Sequence, residues 1–215
     1  MGAKTWMLVY ADDSVPEHLR ANALLDRAAS ETLAKRLFPM ETLTPLEDGD
    51  LSFTNPPDDE LLVGSFGGVT IMAAAEFGGD KPSTLPPAFV AESRGRSLYL
   101  HAMHSVVDFF AYAVWRDGRL ERALSLSPDS GIIEDIGTRL PFEEPYWNGD
   151  HPAVDPSEDD EADYPFPFHP LDLGEAALGA LFGYHLEGPI DASLLEPESI
   201  PLARFKRSKS RWKLW

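Results

Sequence analysis

The sequence predicts an α+β fold: a mostly antiparallel sheet with two or three helices packed against it. Three observations point there. Apolar, β-prone runs recur along the chain. Glycine-bearing turns separate them, at Asp48–Gly49, Gly67–Gly68 and Asp117–Gly118. Such turns join antiparallel neighbours, because both central residues take positive φ. Only a few segments carry helical periodicity instead, and the chain of 215 residues is of single-domain size.

Taken in order, "KTWMLVYA" (4–11) is a first strand ended by Asp12 and Asp13. "NALLDRAASETLAKRLFP" repeats Leu25, Ala29, Leu33 and Leu37 at helical spacing, and Pro39 forbids continuation. The three turns then mark three hairpins. "LPPAFVAES" reads as one short helix between the second and third, with proline tolerated in its first turn. Beyond Gly131 the texture changes to a loop rich in proline, aromatics and acid, at about 141–170. Within it, residues 155–163 are expected to be disordered or loosely held. "LDLGEAALGALFGYHL" reads as a helix weakened by its glycines, and "DASLLEPESIPLARF" as a short closing segment. The domain is expected to span residues 1–200, with 201–215 a basic, aromatic tail outside it.

"SLYLHAMHSVVDFFAYAVW" raises the question of a metal. On a helix, His101, His104 and Asp108 would share a face. The segment is rich in β-branched and aromatic residues and leads into the Asp117–Gly118 turn, which favours strand. Phe110, Tyr112 and Val114 then lie on one face, and Phe109, Ala111, Ala113 and Trp115 on the other. Two apolar faces mark a strand covered on both sides. His101 and His104 point apart, and no metal is expected. A buried Asp108 needs a partner, for which His104, Arg116, Arg119 and Arg122 are candidates.

The formal net charge is −18, from 18 basic and 36 acidic residues. Six of the basic residues, Arg204, Lys206, Arg207, Lys209, Arg211 and Lys213, fall in 201–215, where there is no acid. Residues 1–200 are left with 12 basic against 36 acidic groups, or −24. Such a body repels phosphate backbones and argues against nucleic-acid binding. It suits solubility, or a basic protein partner. For the tail, contact with RNA, with an anionic membrane, or with the acidic body near 155–163 are the three readings. The last is favoured by tethering.

With no cysteine, thiolate chemistry and disulfides are excluded. No signal peptide or membrane span is apparent, and the chain is expected to be cytoplasmic. P-loop, H-E-x-x-H, G-x-S-x-G and G-x-G-x-x-G motifs are missing, and no cofactor is implied. The densest polar loop offers Ser127, Asp129, Ser130, Glu134 and Asp135 for a polar ligand, although "SPDSG" is also good turn chemistry. "LPFEEPYW" sets Glu143 and Glu144 beside Tyr146 and Trp147, the residue types of a sugar site. Adjacent glutamates alternate direction in extended chain, however, so they do not read as an acid–base pair.

"MGAKTWMLVYA", "DGDLSFTNPPDDEL", "YLHAMHSVVDFFAYAVW", "RALSLSPDSGIIEDIG" and "LPFEEPYW", with a weaker echo in "PESIPLARFKR", resemble a family of uncharacterised actinobacterial proteins known only as a domain of unknown function. The resemblance implies one cytoplasmic domain and transfers no catalytic residue. Two functional readings follow from the residues themselves. One is a non-enzymatic binding or regulatory module with an acidic surface, masking a basic protein partner. The other is a small-molecule enzyme or sensor with a polar site around His101, His104, Asp108 and Glu134.

Overall fold

Strand β1 (Lys4–Ala11) is apolar on both sides and is buried from Met7 to Ala11. A strand of that composition needs cover on both faces, and the rest of the chain supplies it. The computed structural model describes residues 2–21, 23–153, 164–188 and 191–209. After β1 come α1 (Val15–Ala21), α2 (Arg27–Leu37), β2 (Glu41–Pro45), β3 (Gly49–Asp50), β4 (Glu60–Phe66) and β5 (Val69–Ala73). Then follow α3 (Pro87–Glu92), β6 (Ser97–His104), β7 (Phe109–Arg116), β8 (Arg119–Ser127) and β9 (Gly131–Gly137). The four-residue α4 (Glu144–Trp147), α5 (Pro170–Phe182) and β10 (Pro201–Lys209) follow among the described residues.

The sheet runs β2-β10-β4-β5-β1-β6-β7-β8-β9, with β3 also paired to β10, and every strand pairing is antiparallel. Helices α1 and α5, with Phe166 and Phe168, cover one face, where Met7, Val9, Met103, Phe110, Tyr112 and Leu124 meet them. Leu33 of α2, Phe89 of α3, Phe77 and Leu85 cover the other, over Leu8, Tyr10, Leu100, Ala111 and Trp115. Among the described residues the sheet dominates: ten strands against five helices, three of them seven residues or longer. Among the described residues no helix is long and apolar enough to cross a membrane.

Local chemistry sets the boundaries. Asp26 caps α2 by accepting the Ala29 N–H at 2.9 Å. Gly67–Gly68 joins β4 to β5, and Asp117–Gly118 joins β7 to β8 with positive φ at both positions (49° and 74°). The glycines of α5 have a packing reason: a Cβ at Gly174 would lie 2.6 Å from Met103 Sδ. Leu98–Trp115 is extended, as two adjacent strands joined by a turn at 105–108.

Two expectations are corrected. Asp48–Gly49 does not close a hairpin, since β2 and β3 both pair with β10 and not with each other. Asp48 instead accepts a two-pronged bond from Arg27, one arm at 2.7 Å. Residues 201–209 are not a tail outside the domain but an interior strand, paired to β4 on one side and to β2 and β3 on the other. Their charge is matched by distant acids. Arg204 meets Glu60 at 2.6 Å and Lys206 meets Asp59 at 2.7 Å. The buried Arg207 binds Glu41 at 2.6 and 2.8 Å and also Glu76. Helix α1 was not legible in the sequence. Lys209 ends β10; Arg211, Lys213 and the acidic segment 155–163 lie outside the described residues.

Candidate functional site

The β6–β7 hairpin separates its two histidines. His101 is fully buried on the α5 side, with Nδ1 2.6 Å from Thr5 Oγ1 and Nε2 3.0 Å from the Gly174 carbonyl. The carbonyl can only accept, so Nε2 carries the proton and Nδ1 accepts from the Thr5 hydroxyl. Burial pushes the His101 pKa down to about 4, keeping the ring neutral. Both ring nitrogens are used by the fold. His104, the last residue of β6, faces the opposite side at the sheet's end. Burial, and then the Lys4 charge, hold its pKa below the usual value.

Asp108 sits in the hairpin turn with φ of 46°. Its partner is none of His104, Arg116, Arg119 or Arg122 but His169, with Oδ2 3.5 Å from Nε2. The other nitrogen, Nδ1, accepts the Leu171 N–H at 3.3 Å and so caps α5. This places the proton of a neutral His169 on Nε2, facing Asp108. No nitrogen is left to serve as a base.

Arg122 goes elsewhere because Glu143 turns inward. Both side chains are fully buried. Arg122 Nε and Nη2 donate to the two Glu143 oxygens at 2.9 and 2.6 Å, and Nη1 reaches Asp135 at 2.5 Å and the Ile136 carbonyl at 2.9 Å. Glu143 also accepts from Tyr112 Oη at 2.5 Å and the Leu140 N–H at 2.7 Å. Burial, then the Glu143 charge, raises the Tyr112 pKa and keeps the phenol protonated. The sugar-site arrangement does not form. Glu143 is consumed in this network and Glu144 is exposed. Trp147 packs edge-on against Phe168 at 4.9 Å, under Arg139 at 4.2 Å.

Glu134 is likewise occupied. Its oxygens accept from Ser83 N at 2.9 Å and Ser83 Oγ at 2.5 Å, tying β9 to the turn at Pro82–Thr84. His101, His104, Asp108 and Glu134 therefore do not converge.

Another set does. At the end of the sheet where β1, β7 and β9 begin and β6 and β8 finish, a recess of about 370 Å³ is lined by Trp6, Asp80, His104, Phe109, Ser127, Asp129 and Ser130, with Val107, Ile133 and Gly78. His104 and the three residues of the polar turn, separated by more than twenty positions, meet here. Ser127 Oγ accepts the Ser130 N–H at 3.2 Å and shapes that turn. Asp80 and Asp129 are exposed, and no hydrogen-bond or ion-pair partner faces either among the described residues. Trp6 and Asp80 were missed in the sequence. Trp6 is brought in by the β1–β6 register, Trp6 opposite Ala102. The loop after β5 approaches through Gly78, where a Cβ would lie 2.5 Å from the Trp6 indole nitrogen.

A larger groove of about 540 Å³ runs between α2 and the β4–β5 turn and holds none of the site residues expected from the sequence. Its Arg36 and Arg96 both lean on Glu92, and its Asp26 is spent capping α2, so its charges largely neutralise one another. Among the described residues no group of three or more His, Asp or Glu side chains could hold a metal ion.

Residues 5–205 match the Family of unknown function (DUF6928), and the chain belongs to that family. No curated protein and no solved structure matches it.

Proposed function

We propose that this protein is a non-enzymatic binding module that holds a basic protein partner at the recess of Trp6, Asp80, His104 and Asp129. The observation that carries the reading is the contrast in how polar groups are used. The side chains suited to acid–base chemistry, His101, Asp108, Glu134, Asp135 and Glu143, are spent on partners within the fold. The recess sets two carboxylates, unpaired among the described residues, beside an indole and a phenyl ring. A lysine or arginine side chain fits that chemistry, through charge and cation–π contact. The formal charge of −18 would speed the approach of a basic partner. We extend the reading to a cytoplasmic location, which is supported by a chain without cysteine suiting reducing conditions.

The test is calorimetric titration of the full chain with an acetylated peptide alternating arginine and tryptophan. Binding should weaken with salt and fall at least about tenfold in the D80N/D129N double variant, since each lost charge pair in a half-enclosed site costs about 1 kcal/mol. Equal affinity in the two proteins would remove the recess from the account.

A small-molecule enzyme or sensor is the second reading, favoured by a neutral His104 beside two serine hydroxyls. The recess is near the lower end of small-ligand sites, which run from about 300 to 1,000 Å³. A metabolite that raises the melting temperature of the protein, but not of H104A, would support it.

A further inference from the structure

We propose that the basic partner is held as an added strand on the outer edge of β9, with a lysine or arginine at the end of that strand seated in the recess. The inference rests on the reading of the recess as a site for basic segments. It names the form in which the segment is bound: extended, and paired through its main chain. Three observations carry it.

The first is the edge itself. β9 is the last strand of the sheet and pairs only with β8 among the described residues. In such a strand every other residue turns its N–H and C=O away from the neighbour. Among the described residues no backbone bond from outside β8 reaches Gly131–Gly137, and one carbonyl, that of Ile136, accepts from the Arg122 side chain. The opposite edge of the sheet is blunted: β2 has five residues and ends in Pro45, which has no N–H to offer. β9 has seven residues and contains no proline, lysine or arginine. Its two acids do not guard it, since Glu134 is turned onto Ser83 and Asp135 onto Arg122.

The second is apolar cover. Ile132 and Ile136 are exposed. Ile132 stands opposite Leu126 on the α5 side of the sheet, and Ile136 opposite Ala123 on the α2 side. A strand laid beside β9 gains a cross-strand contact on each face. Outward main-chain groups give such an addition its affinity, and alternate side chains give it specificity.

The third is continuity with the recess. Asp129 and Ser130 directly precede β9. A bulge opposite Ser125 and Leu126 leaves Ile133 as the extra residue of β9, and Ile133 lines the recess. The loop that carries Asp80 stands against the same strand, because Ser83, three residues further on, donates to Glu134. A segment that follows β9 back towards Gly131 therefore arrives at the mouth of the recess. It lies one strand spacing, about 4.8 Å, from β9, which is less than the length of an extended arginine side chain. Charge selects the occupant. A second copy of this chain carries the same −18 and is repelled, whereas a basic segment meets Asp129 and Asp80.

Amide hydrogen exchange of the full chain, read residue by residue with and without the arginine–tryptophan peptide, tests the pairing. At a free peptide concentration of about ten times Kd, alternate amides between Ile132 and Gly137 should slow by about tenfold. The amides of β2, at the other edge, should keep their rates. The neutral variant I132T/I136T should bind the peptide at least about threefold more weakly, through lost apolar cover alone. Lower affinity in D80N/D129N, with the β9 amides exchanging as in the free protein, overturns strand addition and leaves the recess reading standing. Unchanged affinity in I132T/I136T overturns strand addition as well. Equal affinity in wild type and D80N/D129N overturns the recess reading and the strand addition that rests on it. Protection of β9 in the free protein that grows with protein concentration puts a second copy on the edge and overturns the basic occupant.

Discussion

His101 and His104 are three residues apart on one strand and live under opposite rules. On the α5 side, His101, Tyr112, Arg122 and Glu143 are fully buried, and each has its partners within the fold. At the end of the sheet, His104 borders a recess whose carboxylates, Asp80 and Asp129, have none among the described residues. The first region is polar because the core must satisfy what it encloses. The second is polar with no partner for its carboxylates among the described residues. Buried polarity here reports stability, and the proposed partner site is the surface polarity left without partners among the described residues.

Breaking the closed network should give the largest effect. Arg122→Ala or Glu143→Ala leaves a buried charge unpaired and should cost about 3–5 kcal/mol of unfolding free energy, measured by urea titration. Replacing both by apolar residues of similar size should recover most of that loss. Truncation after Pro201 belongs with these, because it removes an interior strand and Arg207; such a chain should fail to give a cooperative transition. A truncated chain that melted only slightly earlier than the full one would show that β10 is dispensable.

His101→Leu should follow, at about 1–3 kcal/mol, because the Thr5 hydroxyl and the Gly174 carbonyl are left without a partner. D80N and D129N should each stay within about 0.5 kcal/mol of wild type under the same assay. If the recess variants proved as damaging as His101→Leu, the division into a closed and an open region would be lost.

The smallest effect is a dependence on pH that pulls in two directions. For His101, the ordinary value near 6.5 drops to about 4 on folding. Its contribution is complete above 6.5 and is lost as pH falls through 4, since the unfolded chain binds the extra proton. Glu175 works oppositely. Burial pushes its carboxyl from 4.5 up to about 7, against a 2.8 Å bond from Leu186 N–H, while Oε1 has no partner among the described residues. Its contribution is complete below 4.5 and is lost as pH rises through 7. Melting temperatures across pH 4 to 8 should therefore show Glu175→Gln gaining on wild type at pH 8 and matching it at pH 5. A constant offset across that range would mean Glu175 does not titrate there.

The parts of the fold that were legible are those set by near neighbours. The two apolar faces of Phe109–Trp115, the Gly67–Gly68 and Asp117–Gly118 turns, and the Pro39 stop act within a few residues. β10 was not legible, because what makes a basic segment buriable is contributed by Glu41 and Glu76, 166 and 131 positions from Arg207. Its apolar residues, Leu202, Ala203 and Phe205, were hidden among charges that read as solvated. The Asp48–Gly49 dipeptide misled, since its carboxylate serves Arg27 and not a turn. Part of the recess was visible as His104, Ser127, Asp129 and Ser130. Trp6 and Asp80 join it only through sheet register and the approach of the Gly78 loop, which no local pattern encodes.

The central claim is that the recess, and not the closed network or the larger groove beside α2, receives a basic segment. Backbone and indole nuclear magnetic resonance shifts during titration with the arginine–tryptophan peptide test it most directly. Shifts should concentrate at Trp6, Gly78, Asp80, His104, Asp129 and Ser130 and leave Arg36, Arg96 and Arg122 unchanged. Shifts centred on Arg36, Arg96 and the Gly67–Gly68 turn, with Trp6 and Asp80 silent, would contradict it.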